Sequence, residues 1–228
     1  MSLFRGFADD DARFFKKLAK NMSREWFHDH KEEYEQGWAA PMKALLEEVR
    51  SAIDASYERV DLGAPKVFRI NRDVRFSKDK TPYKTTVSGV LAVARAAKAT
   101  EAPAALYVQV GTEIICASGL YAMDATALER YRAAVADDRR GVELTRILAR
   151  LARAGFDLEH MGEGSLKRVP KGFDPEHPRA ELLKRKGLGV LYPALPKELL
   201  TSPKLVKWLL EPVKKTVPLV EWLTMATA

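Results

Sequence analysis

The chain has 228 residues, enough for one domain with a full core, and its 46% hydrophobic and 30% charged residues are ordinary for a globular protein. The single cysteine, Cys116, excludes an internal disulfide and a cysteine-based zinc site. Thirty-eight Lys and Arg against 31 Asp and Glu leave +7, a charge that suits an anionic partner without identifying one. No run of about 18 apolar residues exists to span a membrane. The opening residues lack an apolar signal core and turn acidic at Asp9-Asp10-Asp11, so the expected location is the cytoplasm.

The first third reads as helix. Asp9 or Asp10 can cap a segment carrying Phe14, Phe15 and Leu18, and Asn21 ends it. Ser23 can cap a second helix from about Arg24 to Gln36, whose Trp26, Phe27 and Tyr34, with Trp38 beyond, are expected in the core. Pro41 suits a first helical turn, and Met42, Leu45, Leu46, Val49 and Ile53 follow at helical spacing. The period then changes. Val67–Ile70 and Thr85–Val93 read as strands, Ala94–Ala104 as a loop, and Leu106–Val110 with Ile114–Ala117 as a hairpin around Gly111-Thr112, with Gly119 closing the sheet. Helices return at Asp124, which caps Leu128, Tyr131 and Val135, and again from Gly141 to Ala154, stopped by Gly155. Met161–Pro178 reads as a loop, Arg179–Lys186 as a helical turn or two, and Leu188–Tyr192 as a last strand. From Pro196 the pattern is helical, expected to break at Pro203, Pro212 and Pro218. The expected fold is a single α+β domain over residues 1–228: amino-terminal helices, a central mostly antiparallel sheet and carboxy-terminal helices.

One segment stands apart. From Lys66 to Lys84 seven basic residues face only Asp73 and Asp79, a local +5, with Phe68, Ile70, Val74, Phe76 and Tyr83 interleaved. Apolar residues can pin the backbone while basic heads converge, and the planar arginine fork suits phosphate or carboxylate. Arg69, Arg72, Arg75, Lys80 and Lys84 are the expected anion-binding residues, with Tyr83 a neutral donor. Asn71, Ser77 and Thr81 add further polar groups. Asp73, flanked by Arg72 and Arg75, is expected as a structural partner that accepts from an arginine or from backbone N–H groups. The alternative is an internal network in which Asp73 and Asp79 neutralise their neighbours.

The run Phe68–Lys84 resembles the domain of unknown function 2461 family of bacteria and fungi. Asn21-Met22-Ser23-Arg24-Glu25-Trp26-Phe27 with Lys31 and Tyr34 is similar to that family's amino-terminal signature. Pro41-Met42 falls where its next helix begins, and Ser118-Gly119-Leu120-Tyr121 resembles its glycine turn. The resemblance covers roughly Phe7 to Lys215. It implies a single α+β domain and carries no established activity.

Other candidates are weaker. His28 and His30 lie two apart, on different helix faces, and no metal site is expected from them. His160 and His177, the latter near Asp174 and Glu176, could pair a base with a carboxylate. Cys116 reads as a buried inert thiol. Gly162–Arg168 lacks Walker spacing. Arg139, Arg146, Arg150 and Arg153 share a helix stripe with Glu143, and a second basic cluster spans Lys167–Lys186. Both read as solvated surface.

Three functions follow in rank order. The first is an anion site for a phosphate-containing small molecule or, less favoured, a nucleic-acid backbone. The second is a structural or protein-interaction module whose arginines form internal ion pairs. The third is a metal-assisted phosphodiester hydrolase, for which Asp73, Asp79 and Glu25 are the only obvious carboxylates. The residues name no cofactor, and catalysis is left open.

Overall fold

The computed structural model describes residues 3–75, 78–94, 102–158 and 164–228. Helix α1 (Arg13–Asn21) turns Phe14, Phe15 and Leu18 inward, and the Asp9 carboxylate accepts from the N–H groups of Asp11 and Arg13 at its start. Ser23 caps α2 (Arg24–Asp29) by accepting from the Trp26 N–H at 3.1 Å. The expected continuous helix to Gln36 is interrupted. The run turns at His30, whose φ of −111° and ψ of 12° leave helical geometry, while its ring stacks on Trp26 at 3.9 Å and its Nδ1 contacts the Trp26 carbonyl, before α3 (Lys31–Tyr34). A wide π-type turn at Glu35–Ala39 then leads into α4 (Ala40–Ile53). That turn seats Trp38 in the core and offers the Gly37 carbonyl to the Ala8 N–H of the amino-terminal arm. Trp38 and Tyr34 are buried as expected, whereas Trp26 and Phe27 are only half-buried on the core's edge.

The sheet is a five-stranded antiparallel meander, β1 (Lys66–Val67), β2 (Thr86–Ala92), β3 (Ala104–Gly111), β4 (Ile115–Leu120) and β5 (Leu188–Leu191), in that spatial order. β1 is shorter than the expected Val67–Ile70, because regular pairing ends at Val67 and the chain continues by single contacts. Residues 95–101 of the expected loop lie outside the described residues, and Ala104 already belongs to β3. Gly119 does not end the sheet; it lies inside β4 at φ 126°, where an added Cβ would sit 2.4 Å from the Gly189 Cα.

Side chains alternate between the two sheet faces. A Cβ on Gly89 would meet Leu46 and Met42 of α4, so Val87, Gly89 and Leu91 face the helices. Ser88 and its cross-strand partner Gln109 therefore point to the opposite face. Helix α8 (Lys204–Ala226) packs beside α4, against β3 and β4. It runs unbroken through Pro212 and Pro218, contrary to the expected breaks. Burial of one whole side of this helix, from Leu205 to Ala226, outweighs the missing N–H groups. Thr216 of α8 donates to Ser118 Oγ of β4 at 3.0 Å, and Ser118 also contacts the Tyr192 hydroxyl, all three buried.

Helices α5 (Ala125–Ala136) and α6 (Asp138–Arg153), capped by Asp124 and Asp137, close the other flank, followed by the short α7 (Ala180–Leu183). Their joint is held by Arg179, 9% exposed, whose Nε donates to the Val135 carbonyl at 2.6 Å and whose Nη2 donates to that of Ala136 at 3.1 Å. These are end carbonyls of α5, which have no partner within the helix. Gly141 makes room for the guanidinium; a Cβ there would lie 2.4 Å from Arg179 Nε. The fold is thus α+β, with helices at both ends of an antiparallel sheet. Among the described residues no helix is long and apolar enough to cross a membrane.

Candidate functional site

The basic segment forms an irregular two-legged ribbon between β1 and β2. Asn71 bridges Tyr83, the Arg72 N–H donates to the Pro82 carbonyl, and the Lys84 N–H donates to that of Ile70, each of these two bonds 2.9 Å long. Ile70 and Tyr83 are buried, and Tyr83 stacks on Phe27 at 4.4 Å. The apolar residues thus anchor the two legs, and the polar heads are left on the outside. Phe76 and Ser77 lie outside the described residues.

The cations find different partners. Arg72 Nη1 donates to Asp79 Oδ2 and to Thr81 Oγ1, the latter at 2.8 Å. Asp79 Oδ1 accepts from the Thr81 N–H at 2.9 Å, and the Thr81 bonds followed by Arg72 hold its carboxyl below the ordinary range. Arg75 grips Asp73 with both fork nitrogens, Nε to Oδ1 at 3.0 Å and Nη2 to Oδ2 at 2.7 Å. That side-chain bonding brings the Asp73 carboxyl down to about 2. Lys80 donates to the Val74 carbonyl at 2.8 Å. Lys84 donates to the Arg69 carbonyl at 3.2 Å and lies 5.9 Å from the centre of the Phe68 ring. Burial, and then the charges of Arg69 and Arg72, push the Lys84 ammonium below its usual value. Arg69 is exposed and lends its charge to both Asp73 and Lys84.

A cleft of about 470 Å³ opens beside the ribbon. The ribbon supplies Arg72, Asp79, Thr81, Tyr83 and Lys84 to its wall. The start of β2 adds Thr85 and Thr86, and β3 with its following turn adds Gln109, Thr112 and Glu113. Met22 closes it from the end of α1. Of the expected anion-binding residues, Arg72, Tyr83 and Lys84 come together here, with the charge of Arg69 acting on Lys84 from beside them. Arg75 and Lys80 are not part of the wall and are engaged at the ribbon's tip with Asp73 and the Val74 carbonyl. Gln109, Thr112 and Glu113 were not expected from the sequence. The Gly111-Thr112 turn signal locates the hairpin end but carries no sign that it faces the ribbon.

The remaining candidates sit elsewhere. His28 is exposed, and His30 is occupied by Trp26. His160 lies outside the described residues, as do Gly162 and Glu163. His177 Nδ1 accepts the Arg179 N–H at 3.0 Å, a structural bond in the loop before α7. Cys116 is buried, and burial alone pushes its thiol up to about 12. Arg139, Arg146, Arg150 and Arg153 are exposed along α6. Among the described residues no group of three or more His, Cys, Asp or Glu is placed to hold a metal ion.

A family model described as "Conserved hypothetical protein (DUF2461)" matches residues 11–222. No curated protein and no solved structure matches the chain.

Proposed function

The chain belongs to the DUF2461 family of conserved hypothetical proteins, and within it we propose that the cleft beside the ribbon binds a compact anion such as a phosphorylated small molecule. The observation that carries this reading is that Arg72 and Lys84 line one cleft together, with the Arg69 charge beside them and only Asp79 paired among them. Burial, and then the charges of Arg69 and Arg72, disfavour the Lys84 ammonium, and an anion seated beside it offsets that cost. Hydroxyls of Thr81, Tyr83, Thr85 and Thr112 supply neutral hydrogen-bonding groups around the same wall. A nucleic-acid backbone is the poorer fit, because Asp79 and Glu113 stand in the wall and repel a continuous row of phosphates.

The test is a calorimetric titration of inorganic phosphate at low ionic strength into the wild type and Lys84→Met. A charge-assisted hydrogen bond contributes about 1.5–3 kcal/mol, so Lys84→Met should weaken binding roughly 10- to 100-fold. Equal affinity in the two proteins, or no binding by the wild type, refutes the proposal.

A second reading has its own support: the Arg72–Asp79 and Arg75–Asp73 pairs neutralise two of the arginines internally. On that reading the ribbon is a structural or protein-interaction element. Arg72→Met would then loosen the ribbon without changing any anion affinity.

A further inference from the structure

Resting on the anion site proposed above, we infer that the cleft receives a zwitterion, a small molecule with a phosphate or carboxylate at one end and a primary ammonium at the other. Regular β2–β3 pairing ends at Thr86 facing Gly111. One step further the pairing persists through the Thr112 N–H on the Thr85 carbonyl at 3.1 Å and the two threonine hydroxyls 2.8 Å apart. Beyond it the ladder ends: the Lys84 N–H bonds back to Ile70 of the ribbon, and Glu113 lies in the turn between β3 and β4, with both residues lining the same cleft.

Opposite charges attract, and two that line one cleft are candidates to pair. These two do not. Lys84 is turned to the Arg69 carbonyl, toward Arg69 and Arg72. Glu113 is held by a relay: the Tyr107 hydroxyl donates to Gln109 Oε1 at 2.9 Å, which leaves the Gln109 Nε2 to donate to Glu113 Oε2, also at 2.9 Å. Both residues nevertheless line the same cleft. Lys84 and Glu113 thus share one cleft without an ion pair between them, the first bonded to the Arg69 carbonyl and the second to Gln109.

The two carboxylates in the wall differ in what they can still accept. Asp79 is committed at both oxygens, to Arg72 and to the Thr81 N–H. Glu113 Oε1 accepts from no described residue, so it is the group available to a ligand ammonium. A simple anion would use only half of this arrangement. A zwitterion satisfies Lys84 and Arg72 with its acidic end and Glu113 with its amine.

The probes are phosphoethanolamine and ethyl phosphate, which share the phosphate and differ in the ammonium. Each is titrated calorimetrically at pH 7 and low salt into wild type, Glu113→Gln and Lys84→Met, with circular dichroism confirming that each variant is folded. Phosphoethanolamine is expected to bind wild type more tightly than ethyl phosphate by up to about fivefold, the upper end for a solvent-exposed ion pair. Glu113→Gln should abolish that preference, and ethyl phosphate should bind this variant at least as tightly as wild type, because a negative charge has left the wall. Lys84→Met should weaken both probes. Equal affinities in wild type, or a preference that survives Glu113→Gln, overturns the zwitterion while leaving the anion site standing. Failure of both probes to bind wild type removes both.

Discussion

Replacing Arg179 with methionine removes the one charged side chain that is buried among the described residues. Methionine keeps the aliphatic stem, so the loss isolates the guanidinium. The two shortest of its bonds go, Nε to the Val135 carbonyl at 2.6 Å and Nη2 to the Ala136 carbonyl at 3.1 Å, along with longer contacts to the Asp137 carbonyl, Asp138 and His177. The Val135 and Ala136 carbonyls end α5 and are left without a partner. Hydrogen bonds to a charged group contribute about 1.5–3 kcal/mol each, and partial rescue by water lowers the sum, which gives roughly 2–5 kcal/mol. For a chain of this length each kcal/mol moves the melting temperature by about 2–4 °C, so Tm should fall by roughly 4–20 °C. Differential scanning calorimetry reads this directly. Asp138, whose side chain is fully exposed beside Arg179, serves as the control, and Asp138→Asn should leave the melting curve unchanged. Gly141→Ala attacks the same joint from the α6 side, with its Cβ 2.2 Å from the Val135 oxygen. Its effect should be less than additive with Arg179→Met, since the two sites share one contact. A Tm for Arg179→Met within a degree or two of wild type refutes the reasoning.

In a carbon-detected NMR titration the Asp73 carboxyl should titrate at about 2 rather than at its ordinary 3.8, because Arg75 holds the charged form. The folded value is depressed, so the pair's contribution is complete above pH about 4 and is lost as pH falls through about 2. Arg75→Ala should return the midpoint toward 3.8, and an unmoved midpoint contradicts the assignment. Gly119→Ala forces a side chain onto φ 126° and into the Gly189 Cα, and should cost about 1–3 kcal/mol. Amide exchange in β4 and β5 should accelerate, and wild-type protection there would count against the close approach. Trp26→Ala should cost roughly half of the 3–5 kcal/mol of a fully buried aromatic, since Trp26 is half-buried. A destabilisation equal to that of Trp38→Ala would show that Trp26 belongs to the core after all.

Much of the fold is legible in local chemistry. Val/Thr-rich β2, the turn at Gly111-Thr112 and the caps at Ser23 and Asp124 are signals within a few residues, and each lies where the structure has it. What fails is decided by distant contacts. Pro212 and Pro218 read as breaks because the missing N–H is a local fact, whereas the burial that carries α8 through them comes from the sheet and its neighbouring helices. The shortening of β1 likewise depends on how the ribbon meets β2. At the site, the clustering of Arg72, Tyr83 and Lys84 follows from alternating apolar anchors that are visible in the segment itself. The opposing wall from Gln109 to Glu113 lies some 25 residues further along the chain and is joined to the ribbon only through strand register, as the Thr85–Thr112 contact across 27 positions illustrates. Asp73 and Arg75, two apart, pair with each other rather than with the cleft, a choice between neighbours that spacing alone leaves open.

The proposed anion site is tested most directly by a crystal soaked with tungstate, a heavy tetrahedral anion located by its anomalous scattering. The ion is expected in the cleft, within hydrogen-bonding distance of both the Arg72 guanidinium and the Lys84 ammonium, about 2.7–3.2 Å from each donor nitrogen. Occupancy that falls instead only on exposed cations such as Arg146 and Arg150 of α6, with the cleft empty, would contradict it.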